Sequence, residues 1–103
     1  MAKEECKSTE ELIQEKGLVA PRLTPQLMEA TVRDSVFHKL TDVLTVCVST
    51  LRNGFTVTGE SACASPENYN QEIGEKIARE NAIEKIWLLE GYLLKQKLFE
   101  EKI

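Results

Sequence analysis

A chain of 103 residues is long enough for one domain with one modest hydrophobic core. At 42% hydrophobic and 29% charged it reads as globular rather than disordered; its formal net charge of -4 argues against general nucleic-acid binding, which draws its affinity from a basic surface. The three cysteines, Cys6, Cys47 and Cys63, are odd in number and lack Cys-x-x-Cys spacing, which points to free thiols in a reducing compartment.

Met1 to Lys16 is charged and lacks an apolar h-region, so no signal peptide is expected. No run approaches the ~20 apolar residues needed to cross a bilayer. Residues 1–23 read as an N-terminal segment and 24–103 as a single domain. In the first segment, Ser8 with Glu11 resembles a capping box, opening a short helix to Lys16 that Gly17 stops. Leu18 to Leu23 contains Pro21 and reads as an extended linker.

Thr24-Pro25 is a clearer helix start, with Thr24 as cap and Pro25 at the first helical position. Leu27, Met28, Thr31 and Val32 follow at helical spacing, which predicts a helix from Pro25 to about Ser35. Val36, Phe37 and Leu40 are expected as core residues in the connection or in a short second turn. From Asp42 to Leu51 the apolar spacing fits a helix, but Thr45-Val46-Cys47-Val48-Ser49-Thr50 is dominated by β-branched residues that favour a strand. Asn53-Gly54 follows, then the alternating run Phe55-Thr56-Val57-Thr58. That pattern predicts a β-hairpin with a two-residue turn, both turn residues taking positive φ; the alternative is a helix with Asn53-Gly54 as its C-cap. The hairpin would pair Arg52 with Phe55, Thr50 with Val57, Val48 with Gly59, Cys47 with Glu60 and Leu44 with Cys63. Cys47 and Cys63 would then lie on opposite faces and form no disulfide.

Ala62 to Asn70 is a loop with turn chemistry at Ser65-Pro66-Glu67-Asn68, and Asn68 or Asn70 can cap the next helix. That helix, from about Gln71 to about Glu100, would be ~45 Å long if unbroken. At ~100° per residue, Ile73, Ile77, Trp87, Leu94 and Leu98 fall on one side and Ala78, Ala82, Ile86, Leu89 and Leu93 on the other. A helix apolar on two faces must bury both. The remaining chain can cover one, so the set from Ala78 to Leu93 is expected at a subunit interface; a kink at Gly91 folding the last helix back is the alternative. The fold class is thus α+β, with N-terminal helices, a hairpin around Asn53-Gly54 and a long C-terminal helix, or else mostly α.

Catalytic chemistry finds little support. Gly59-Glu60-Ser61-Ala62-Cys63 begins like a nucleophile elbow, but Cys63 stands where the final glycine belongs. His38 is the only histidine, so every Ser–His or Cys–His pair must use it. Three scattered cysteines and one histidine lack zinc-ligand spacing, and no metal, cofactor or catalytic residue is expected. A ligand-binding reading gathers Arg52, Asn53, Thr56, Thr58, Ser61, Ser65, Asn68 and Arg79 beside the start of the long helix, where free N–H groups favour an anion. Glu60 and Glu67 work against it. Trp87 reads as core rather than as a stacking platform.

The stretch from Leu51 to Asn70, with Glu72-Ile73-Gly74, Ala78-Arg79-Glu80-Asn81-Ala82, Ile86-Trp87 and Leu89-Glu90-Gly91-Tyr92-Leu93-Leu94, resembles a widespread family of small proteins from tailed bacteriophages and prophages. The similarity spans about Leu23 to Leu98. Members often carry a longer segment where this chain has Ser35 to Asp42, and Trp-Pro where it has Trp87-Leu88. The resemblance carries no catalytic residues over. It implies a phage accessory protein in the host bacterial cytoplasm. The combined expectation is a non-enzymatic homo-oligomer that binds a host component, either a host protein or a small nucleotide immune signal that it sequesters in counter-defence. The alternatives are a nucleic-acid-binding regulator, from a loose likeness to double-stranded-RNA-binding domains that lacks one strand, and a virion assembly component. No membrane association is expected.

Overall fold

The computed structural model describes residues 11–12 and 21–102. Glu11 and Leu12 are helical; the Ser8 capping box, the Gly17 stop and Cys6 lie outside the described residues. The elements run α1 (Pro25–Thr31), β1 (Val32–Lys39), β2 (Leu44–Leu51), β3 (Thr56–Ala62), a 3-10 turn (Pro66–Asn68) and α2 (Gln71–Glu101). The three strands form one antiparallel sheet in the order β1-β2-β3. The chain is therefore α+β.

Thr24 caps α1, its hydroxyl accepting the Leu27 amide at 3.2 Å, with Pro25 in the first turn. The helix is shorter than expected: backbone turns extended at Val32, and Val32–Lys39 is a strand rather than a continued helix and connection. Arg33 is the extra residue of a bulge, between the pairs Val32–Leu51 and Asp34–Thr50. The expected core placement of Val36 and Leu40 fails with the helix, since both are exposed; only Phe37 packs against the core.

The hairpin exists with a different turn. Gly54 N–H donates to Leu51 O at 2.9 Å and Leu51 N–H to Phe55 O at 2.7 Å, so Arg52, Asn53 and Gly54 form a three-residue loop. Gly54 alone takes a positive φ, +93°, and Asn53 instead accepts the Phe55 amide on its side-chain oxygen at 2.9 Å. The register moves by one residue from that expected. Thr50 pairs with Thr56, Val48 with Thr58, Cys47 with Gly59 and Leu44 with Ala62. Cys63 continues opposite Val43. Cys47 and Cys63 therefore share a face and remain free thiols. Four residues of offset along the ladder, ~13 Å, separate them, beyond disulfide reach.

α2 is one continuous helix of 31 residues, capped by Asn70, whose side chain accepts the Ile73 amide at 3.0 Å. It lies across β3 and β2 and buries Gly74, Ala78, Ala82 and Ile86. Ala78, Ala82 and Ile86, expected at a subunit interface, are fully buried in the intramolecular core; Leu89 and Leu93 of the same set stay exposed. The cause is the small size of the facing residues. A Cβ on Gly59 would sit 2.2 Å from the Ala82 amide nitrogen and 2.3 Å from the Ala78 carbonyl oxygen, so helix backbone and strand backbone are in direct contact. Along β2 burial alternates strictly: Thr45, Cys47, Ser49 and Leu51 face the helix, and Leu44, Val46, Val48 and Thr50 face away. The polar side chains turned inward are satisfied. Ser49 Oγ meets Ser35 Oγ at 2.9 Å and Thr45 Oγ1 meets the Tyr69 hydroxyl at 3.2 Å.

Gly59→Ala should destabilise the fold by ~3 kcal/mol or more, because backbone atoms rather than flexible side chains block the new methyl. Gly54→Ala, with open space around it but a left-handed backbone, should cost only ~1–2 kcal/mol. Urea unfolding of both variants checks the ranking; a smaller loss at Gly59 would contradict the close approach.

Candidate ligand cleft and exposed faces

The residues expected to form one polar lining are dispersed by the fold. Ser61 and Asn68 do meet, in a cleft of about 120 Å³ between the end of β3 and the first turns of α2, together with Val43, Cys63, Tyr69 and Asn70. Thr56 and Thr58 lie on the other face of the sheet, because they alternate with the buried Val57 and Gly59. Arg52 and Asn53 stand exposed in the hairpin loop, one strand length from the cleft. Ser65 donates to the Glu67 carboxylate. That bond, with Glu67's own backbone amide, holds the Glu67 carboxyl below the usual carboxylate range.

Arg79 points to α1, not to the cleft. Its guanidinium makes two parallel bonds to Glu29, at 3.0 and 2.8 Å. The hydrogen bond from Arg79 lowers the Glu29 pKa, and the same bond raises that of Arg79. The cation best placed on α2 to bind an anion is thus already neutralised. Lys39 lies over the Tyr69 ring, 4.2 Å from its centre, and Tyr69 in turn bonds Thr45. The cleft holds hydroxyl, thiol and amide groups; Cys63 Sγ donates to Ser65 O at 3.3 Å.

His38 sits exposed on β1 in register with Val46 and, through it, Glu60. Alternation puts Cys47 and Ser61 on the helix face and His38 on the open one, so the sheet itself separates the histidine from those nucleophiles. Among the described residues no three His, Cys, Asp or Glu side chains group as a metal site, and no helix is long and apolar enough to cross a membrane.

Two apolar surfaces are more prominent than the cleft. Val36, 49% exposed, lies beside Val48 on the open sheet face, with Val46 and Leu44 next along β2. The second surface is the end of α2, where Leu88 is 80% exposed and Tyr92 72%, beside Phe55 from the hairpin tip. Sequence reasoning passed over Leu88, Tyr92 and Phe99, although their spacing of four and seven residues is itself a helical stripe.

The molecule is thus a small α+β protein: a three-stranded antiparallel sheet with one long helix across one face and, among the described residues, no element across the other. Residues 23–98 match the model of the Phage protein (N4 Gp49/phage Sf6 gene 66) family, and the chain belongs to that family. Neither a search of curated proteins nor one of solved structures finds a match.

The Glu29–Arg79 pair makes a pH-dependent contribution of known sign. Glu29's folded pKa lies below its unfolded value, so the contribution is present above the unfolded pKa and fades as pH falls through the folded one. Both side chains are more than a third exposed. Glu29→Gln should therefore cost below ~1 kcal/mol at neutral pH, less in high salt, and nothing once acid protonates Glu29 in both states. Denaturation of the two proteins across pH checks this; a difference that grows toward acid would contradict it.

Proposed function

We propose that this protein is a non-enzymatic, homo-oligomeric phage accessory protein that acts in the host cytoplasm by binding a host component through the open face of its sheet. The observation that carries the reading is the polarity of β2. From Thr45 to Ser49 its small and polar side chains turn toward the helix, while Val46 and Val48 turn outward beside Val36; only at its end does the large apolar Leu51 turn inward. A sheet with one solvated face ordinarily alternates the other way, apolar inward and polar outward. An exposed apolar patch on a small protein marks a partner surface. The location of His38 across the sheet from Cys47 and Ser61 supports a binding role over catalysis. Arg79 is held by Glu29, and Arg52 stands at the far end of β3. This weighs toward a host protein as the component bound, and against sequestration of a nucleotide signal in counter-defence.

The nucleic-acid reading has one observation in its favour: β1 completes an α-β-β-β-α order, supplying the strand missing from the likeness to double-stranded-RNA-binding domains. The charge opposes it, since α2 opens with Glu72 and Glu75 and the net charge is -4. Titration with duplex RNA at two salt concentrations decides: salt-sensitive binding would revive that reading.

Tagged protein recovered from infected host cells should carry one host protein in fixed proportion. Val36→Lys with Val48→Lys should lose it while keeping the helical circular dichroism of the wild type, because both positions lie on the sheet face that no described element covers. Retention of the partner by the double variant would overturn the assignment of this face.

A further inference from the structure

The sheet does not reach the end of the helix. α2 has 31 residues, ~46 Å, whereas the strands have eight or fewer, ~27 Å. The helix buries its last fully covered side chain at Ile86, its midpoint. Beyond it Leu88, Leu89, Tyr92, Leu93 and Phe99 remain exposed. At ~100° per residue these five fall within an arc of ~140°, and Gln96 falls in the middle of it. Leu94 and Leu98, on the other side of the helix, are half-buried. The overhang thus carries one apolar stripe that no described element covers.

Charge decides what covers it. Lys85 lies at the N-terminal end of this stripe and Glu100 at its C-terminal end, both exposed. Gln96 donates to the Glu100 carboxylate at 3.0 Å and so holds it on the stripe. Lys85 makes no ion pair among the described residues. Two such stripes side by side in antiparallel sense place each Lys85 against the other copy's Glu100. A parallel in-register pair would set Lys85 against Lys85 and Glu100 against Glu100. With the neighbouring Phe55, the exposed side chains offer an area on the order of the ~800 Å² per partner that a standard stable interface buries.

We infer that the overhanging half of α2 pairs antiparallel, about a two-fold axis between Tyr92 and Leu93, with the same segment of a second copy of this chain, with Lys85–Glu100 pairs at both ends. The interface is isologous: one patch serves both subunits and closes on itself. In this register Tyr92 of each copy lies opposite Leu93 of the other, at the axis, so exposed apolar side chains meet at the centre of the seam. This rests on the homo-oligomeric reading above and names its partner and geometry.

The test is light scattering over a dilution series on the full chain with Lys85→Glu, with Glu100→Lys, and with both together. The wild type should be dimeric or a multiple of the dimer. Each single reversal, which creates two like-charge contacts per interface, should weaken association by about tenfold, and the double reversal should restore it. Leu88→Lys with Tyr92→Lys should abolish association without loss of helix, both positions being mostly exposed. Association unmoved by the single reversals, or not restored by the double one, would overturn this pairing while leaving self-assembly intact through another face. A wild type that is monomeric throughout would overturn both readings.

Discussion

The contact between the backbone of β3 at Gly59 and the backbone of α2 at Ala78 and Ala82 sets the rest of the structure. Only hydrogen at the Gly59 α-position lets the helix settle so low, and only alanines on the helix let the strand come so close. The helix then lies within reach of β2, where only small side chains fit beneath its first half: Thr45, Cys47 and Ser49. Asn81 fastens the same arrangement from the side, its amide donating to the Glu60 carbonyl at 2.7 Å on the outer strand. The seam is held by contact and satisfied hydrogen bonds more than by large apolar side chains; Met28 and Ile86 are the bulkiest fully buried ones among the described residues.

That constraint explains the molecule's outward face. Where the positions facing the first half of the helix must be small, the valines of β2 turn out. A sheet so arranged carries apolar surface on the side that no described element covers. The length of α2 has a parallel consequence. A helix that crosses a short sheet and continues outruns it, and the stripe there that no described element covers holds leucine, tyrosine and phenylalanine. Both surfaces are consequences of packing.

Much of the fold was legible in the residues. Thr24-Pro25 and Asn70 mark real helix starts, and the β-branched run of β2 with Asn53-Gly54 marks a real hairpin. Two errors have physical causes. β1 is an edge strand whose apolar residues Val32, Val36 and Phe37 do not alternate cleanly, because Arg33 is bulged; the pattern therefore looked like a continuing helix. The turn holds three residues rather than two because Asn53 uses its side chain to receive the Phe55 amide and keeps a negative φ. One residue of slip then moves every cross-strand partner, including that of Cys47. The ligand site was read as a linear cluster of polar residues, and strand alternation splits such a cluster between two faces. The interface was assigned from apolar periodicity alone, which does not distinguish an alanine that faces a glycine from a leucine that faces water.

The most direct measurement is hydrogen exchange along α2 over a dilution series that spans dissociation of the proposed dimer. The account predicts that amides from Gly74 to Ile86, seated on the sheet, keep constant protection, while those from Leu88 to Phe99 lose protection as the protein is diluted. Equal protection of both halves at every dilution would contradict it, because the overhang would then be covered within a single chain.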